Sequence, residues 1–291
     1  MKAEAVAKPH AYHGEGVIWA DDWGGGHPAL RYVDMLAGDV LELQPGGDVT
    51  RFHVGDVAAA LRPRAGGGAI VATERGFALT RSVDFADLEQ TADLWPSTHE
   101  PRTRFNDGGC APDGSFYMGS MAYDQSEGAA SMWRLAPDRS TSHVFGDVTI
   151  SNGLCWSPDG TLAYYNDTPT RIIWVFDWSA ETGLTNRRPF VRLEDGIGHP
   201  DGLTVDAEGG VWTALFGGSA VRRYDADGSL SEIVEVGPSQ VTCPAFGGDD
   251  LDQLFTTTSR ENLPDDAEPD AGALFVCTPG IRGQRTLPFT G

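Results

Sequence analysis

Asn106, Asn152 and Asp201 each stand eight residues ahead of the glycine of a short turn: PDG at Pro112–Gly114, PDG at Pro158–Gly160 and AEG at Ala207–Gly209. Each is followed by a small or flexible step (Asp107-Gly108, Gly153 or Gly202) and then by an apolar stretch that reads as a strand. A fourth stretch, GEGVIWA, carries Glu15 in the corresponding place. An Asn or Asp before Gly is on its own a turn former. Four oxygen-bearing side chains at one repeated position are more than that. With no His or Cys among them, they form the donor set of a hard cation. Ca2+, Mg2+ or Mn2+ suits such a set better than Zn2+, although carboxylates also hold zinc.

Four side chains separated by nearly 200 residues meet only if the chain repeats itself around a centre, and it does. One recurring strand reads LRYVD from Leu30, AIVAT from Ala69, FYMGS from Phe116, AYYND from Ala163, VWTAL from Val211 and LFTTT from Leu254, at intervals of 39 to 48 residues. After each comes a second: VLELQP from Val40, FALTRS from Phe77, SMWRLAP from Ser131, IIWVFDW from Ile172, AVRRYDA from Ala220 and ALFVCTP from Ala273. Two strand types, each occurring six times in the same order, predict four-stranded blades of an all-β, six-bladed β-propeller. The units are too long for a two-sheet sandwich, and the helices of a parallel α/β sheet are missing. Residues 84–94 alone read as a short helix. A single domain spanning residues 1–291 is expected, with a short N-terminal extension at 1–13. Innermost strands of a propeller line its channel and start near one mouth, so Glu15, Asn106, Asn152 and Asp201 should converge there.

Composition excludes several other functions. Lys and Arg number 21 against 42 Asp and Glu, a net charge of −21 that repels a phosphate backbone, so no nucleic-acid partner is expected. The two lysines, Lys2 and Lys8, both lie in the first eight residues, which argues against Schiff-base chemistry. No apolar run approaches a membrane span and the N-terminus has no signal-like apolar core, so a soluble, cytoplasmic protein is expected. No obligate protein partner is evident. Cys110, Cys155, Cys243 and Cys277 are far apart and read as reduced structural thiols. No G-x-S-x-G elbow and no HExxH spacing supplies a competing catalytic group. His199, two residues before Asp201, reads as a loop residue at the channel mouth or a proton shuttle. Trp156, Trp212 and Phe216 could line a pocket, but aromatics on propeller strands usually fill the space between blades.

At this point the chain resembles the SMP-30/gluconolactonase/regucalcin-like family. GEGVIW is similar to that family's opening segment, RFNDG at Arg104–Gly108 to its R-x-N-D segment, and ISNGLCWSPDG and HPDGLTVDAEGGVW to two later ones. The likeness runs from Glu15 to Cys277. It implies metal ligands at Glu15, Asn152 and Asp201, and substrate contacts at Arg104 and Asn106. A family position that is often acidic falls on Asp124. The resemblance further implies one divalent metal ion, Ca2+ first and Zn2+, Mg2+ or Mn2+ as alternatives, and hydrolysis of a small-molecule sugar lactone to the sugar acid.

In that reading Asp201 ligates the ion and takes a proton from the attacking water, while Arg104 orients the substrate with its fixed fork of donors. Two rivals remain: a calcium-dependent phosphotriesterase or paraoxonase-like hydrolase, which shares a Glu/Asn/Asn/Asp ring, and a non-catalytic calcium-binding propeller.

Overall fold

A computed structural model describes all of residues 1–291 and contains strands and two short 3-10 turns but no α-helix. The strands form six four-stranded antiparallel sheets. Five are sequential. Blade 1 runs through Gly14–Ala20, Ala29–Asp34, Asp39–Leu43 and Val49–His53, and blade 2 through Ala60–Pro63, Ala69–Ala72, Phe77–Thr80 and Glu89–Gln90. Blade 3 comprises Thr103–Cys110, Phe116–Ala122, Ala130–Leu135 and Thr141–Val148; blade 4 comprises Ser151–Trp156, Leu162–Asp167, Ile172–Ser179 and Gly183–Arg192. Blade 5 takes His199–Val205, Val211–Phe216, Ala220–Tyr224 and Leu230–Glu235. The two recurring strands of the sequence are the second and third strands of every blade.

Blade 6 is built from both ends of the ring. Val241–Gly247, Gln253–Thr258 and Leu274–Cys277 supply three strands, and Glu4–Ala5 supplies the outermost one, pairing Glu4 with Val276 and Ala5 with Phe275. Residues 1–13, expected as an extension, therefore include the strand that closes the ring and covers an otherwise bare sheet edge. Ala3 and Ala7 are buried beside it.

The helix expected at residues 84–94 is absent. Phe85 has φ +62, which a helix cannot accommodate, and the Asp84 and Asp87 carboxylates accept hydrogen bonds from the backbone of Ala86, Arg81 and Ser82. These local bonds compete with helix formation in a segment too short to nucleate one. Glu89–Gln90 pairs instead with Ala78 and Leu79 as the outer strand of blade 2, and Leu88 and Leu94 pack on the core.

Aromatic residues fill the gaps between blades. Trp156 meets Tyr117 at 5.8 Å between ring centroids, and Trp212 meets Phe246 edge-on at 5.7 Å. Both tryptophans are buried core residues. No helix is long and apolar enough to cross a membrane.

Two outcomes follow. Deleting residues 1–7 removes the pairing with Leu274–Cys277 and the bonds from Ala3 N to Glu235 O and Val6 N to Leu274 O, both 2.9 Å. Chemical denaturation of this deletion should show a loss of about 2–4 kcal/mol, from roughly four backbone hydrogen bonds at their usual net value. All four cysteines are unpaired, and burial pushes the Cys110 thiol up to about 12 and the Cys277 thiol up to about 11. A thiol count under denaturing, non-reducing conditions should return four, with slow reaction in the native protein.

Candidate active site

The innermost strands do not run straight. In blades 1, 3, 4, 5 and 6 each carries one extra residue relative to its neighbour: between Glu15 and Ile18, Phe105 and Gly108, Ser151 and Leu154, Pro200 and Leu203, and Val241 and Pro244. A bulge bends its strand and re-aims the side chain beside it. Asn106, Asn152, Asp201 and Thr242 are each the first unpaired residue of their bulge, and Glu15 is the last paired residue before its own. Blade 2 pairs Ala60–Pro63 with Ala69–Ala72 without a shift and offers only alanines there. The glycines after the bulges permit close approach of neighbouring blades. A Cβ on Gly153 would lie 2.3 Å from Leu203 N, and one on Gly202 would lie 2.8 Å from Cys243 Cα.

A second repeated device holds the start of the inner strands. Asp34 Oδ1 accepts the N–H groups of Tyr12 and His13, each at 3.1 Å, and Asp167 Oδ1 accepts Ile150 N–H at 3.0 Å. These carboxylates end the second strands of blades 1 and 4 and fix the backbone two residues before Glu15 and Asn152.

The bulged positions open into a cavity of about 370 Å3 at one mouth of the channel. Glu15, Arg104, Asn106, Asn152 and Asp201 all line it and all are buried. Arg104 crosses the alanines of blade 2 to reach Met35 Sδ at 3.0 Å, and donates to Phe105 O and Asn106 Oδ1. Asn106 Nδ2 then donates to Ser151 O at 2.7 Å and to Asn152 Oδ1 at 3.2 Å, and Asn152 Nδ2 donates to Thr168 Oγ1 at 2.7 Å. Arginine and two amides thus form one continuous chain.

The carboxylates are less well served. Glu15 accepts the N–H of Gly16 at 3.1 Å and makes no ion pair with lysine or arginine. Burial, then the charges of Asp201 and Asp107, pushes its carboxyl well above the usual range. Burial, then Asp107, does the same to Asp201. Two acids crowded in a dry channel favour a bound cation. No three His, Cys, Asp or Glu side chains are arranged to hold an ion anywhere in the chain. A cation site here must therefore draw on amide oxygen, which suits Glu15 and Asp201 supplemented by Asn152.

The pattern of the SMP-30/gluconolactonase/LRE-like region matches residues 13–260. The chain belongs to this family. Regucalcin of Danio rerio is 32% identical over 300 residues, covering 100% of this chain and 99% of its own. L-arabinolactonase of Azospirillum brasilense is 32% identical over 288 residues, covering 96% and 92%. Among solved structures, regucalcin from Agrobacterium tumefaciens, described as a calcium-binding protein, superposes with a TM-score of 0.89 at 30% identity, covering 100% of this chain and 98% of its own.

Of the positions carried over from the SMP-30 family resemblance, Glu15, Arg104, Asn106, Asn152 and Asp201 come together and Asp124 does not. Asp124 is exposed, and its Oδ1 accepts Ser126 N at 3.0 Å and Ser126 Oγ at 2.7 Å, bonds that hold its carboxyl below the usual range. It caps its own turn, and Gln125, at φ +58, faces the cavity in its place. His199 and Phe216 stand at the rim, whereas Trp156 and Trp212 are core. Two lining residues had no motif to announce them. His13 is buried, with Nδ1 2.7 Å from Ser259 Oγ, and burial, then the Arg104 charge, lowers its pKa to about 3. Glu261 comes from the loop that follows the second strand of blade 6.

Asn106→Ala should cost about 1–3 kcal/mol, because it leaves the Arg104 guanidinium and Ser151 O without their buried partner. Thermal or urea denaturation measures this. The double variant with Arg104→Ala should fall short of the sum of the single losses.

Proposed function

We propose that the chain is a metal-dependent hydrolase that opens a small sugar lactone to its sugar acid. The observation that carries this reading is the meeting, in one cavity, of a buried oxygen set with a buried Arg104–Asn106 pair. The shared family with L-arabinolactonase over nearly the whole chain supports the same substrate class. Bound by Glu15, Asn152 and Asp201, a divalent cation such as Ca2+ supplies a Lewis acid for the ester carbonyl and keeps both carboxylates ionised at neutral pH.

The remaining work falls to the protein. Arg104, held by Asn106 and the Phe105 carbonyl, presents its free guanidinium edge to substrate oxygens. Asp201 is the proton acceptor: as a ligand of the cation it would be a weak base but one that stays ionised. Water adds through oxygen to the lactone carbonyl carbon as its proton passes to Asp201. The bond from that carbon to the ring oxygen then breaks, and the ring oxygen receives the proton as a hydroxyl. The acyl carbon leaves as a carboxylic acid, which releases its proton to solvent.

A panel of aldonolactones assayed by acid release, with each divalent cation in turn, tests the reading. Activity should vanish with EDTA and return with a divalent ion. Asp201→Asn should lower kcat at least ~100-fold, the scale of a lost general base. Arg104→Ala should raise KM more than it lowers kcat. Absence of acid release from every lactone with every ion would overturn the proposal.

A further inference from the structure

Glu261 is the carboxylate on the cavity wall that belongs neither to the cation set nor to an ion pair with lysine or arginine. Its backbone is held firmly. Ser259 Oγ accepts its N–H at 3.0 Å, Gln240 Nε2 donates to its carbonyl at 3.2 Å, and the preceding Arg260 N–H donates to Tyr12 O at 2.9 Å. The side chain is 29% exposed and faces the cavity. The nearest basic group, His13 Nδ1 at 3.7 Å, is beyond hydrogen-bond reach and is already engaged by Ser259 Oγ at 2.7 Å. Glu261 therefore stands on a firmly held backbone with acceptor oxygens that have no hydrogen-bond partner in the protein.

Arg104 is the only guanidinium or ammonium group lining the cavity. A divalent cation on Glu15 and Asp201 matches those two carboxylates, and Glu261 is left to match Arg104. With Asp107 set against Arg62 in the neighbouring smaller cavity, the loaded cavity then has no surplus charge. A neutral substrate meets a donor wall at Arg104 and an acceptor wall at Glu261, whereas an anionic substrate gains one contact and suffers one repulsion.

We infer that Glu261 is a specificity-determining residue, accepting hydrogen bonds from the hydroxyls of an uncharged polyhydroxy lactone and turning away lactones that carry a carboxylate. This rests on the lactonase reading and adds a selection rule to it. Glu261 touches no reacting atom, so its effect falls on binding.

D-glucono-1,4-lactone and D-glucaro-1,4-lactone differ in a terminal CH2OH against a carboxylate and provide the test. The wild type should prefer the first. Glu261→Gln, which keeps size but removes the charge and exchanges one acceptor oxygen for a donor, should shift the ratio of the two kcat/KM values toward the second by about tenfold, mainly through KM, as expected for one charge contact at a partly solvated wall. An unchanged ratio in the active variant overturns the inference. Binding of D-glucitol, followed by ligand-observed NMR, separates the two readings. If neither lactone is hydrolysed with any metal, the lactonase reading fails by itself. Glucitol binding weakened by Glu261→Gln then upholds the hydroxyl-binding role, and equal binding, or none in either protein, overturns it.

Discussion

Glu15 and Asp201 are buried together at the mouth of a narrow channel with Asp107 beside them, and this unfavourable arrangement governs much of the surrounding structure. Each acid raises the proton affinity of the next, and burial adds to it. A chain that folds in spite of this must hold the groups by force of geometry. It does so by spreading them over separate blades, where each backbone is fixed by its own sheet. The Asp34 and Asp167 carboxylates lock the chain two residues before Glu15 and Asn152. Asn106 and Asn152 fill the space between the acids with a chain of amide hydrogen bonds that costs no further charge.

Ring closure turns those local constraints into a rigid site. Each inner strand is positioned by its neighbours on both sides, so no single strand can relax without moving the next. The contacts at Gly153 and Gly202, where a side chain would strike the adjacent blade, show how little clearance remains. The pairing of Glu4–Ala5 with blade 6 is therefore connected to the site mechanically although it lies at the outer rim. A binding constellation on such a scaffold is more accurately held than one on loops. The exceptions, Gln125 and Glu261, are loop residues that line the cavity.

The parts legible in the sequence were those written as a repeat. Second and third strands recur with enough similarity to be aligned by eye, and the ring of oxygen donors followed from counting to the glycine of the next turn. The bulges that aim those donors left no trace beyond the glycines after them, because a bulge is a property of two paired strands. The absence of a donor in blade 2 was also hidden, since its inner strand reads as a plain apolar run. Asp124 caps its own turn and does not line the cavity, and in sequence such an acid is indistinguishable from one that faces the channel. His13 and Glu261 lie 248 positions apart and meet only because blade 6 joins both ends of the chain. Over the helix expected at 84–94, short Asp-centred turns prevailed.

The two mouths of the channel are chemically unlike, and that difference bears on how the site works. Residues 281–290 cross the far mouth. Gln284 Nε2 donates to both Trp156 O and Val205 O at 3.1 Å, Thr286 Oγ1 donates to Trp19 O, and Phe289 is fully buried. Between this strap and the acids lies a smaller cavity of about 90 Å3 that Arg62, Asp107 and the thiols of Cys110, Cys155 and Cys243 help to line. Gln284, Arg285, Thr286 and Leu287 of the strap line that smaller cavity, so the far end of the channel is narrower than the mouth at Glu15 and Asp201. An electrostatic contact in a channel narrowed at one end is screened less than in an open groove, so the strap bears on the field at Glu15 and Asp201 without touching them. In the proposed hydrolysis, substrate and product would pass the mouth that Gln125, His199 and Glu261 line, so contacts there would precede contact with Asp201.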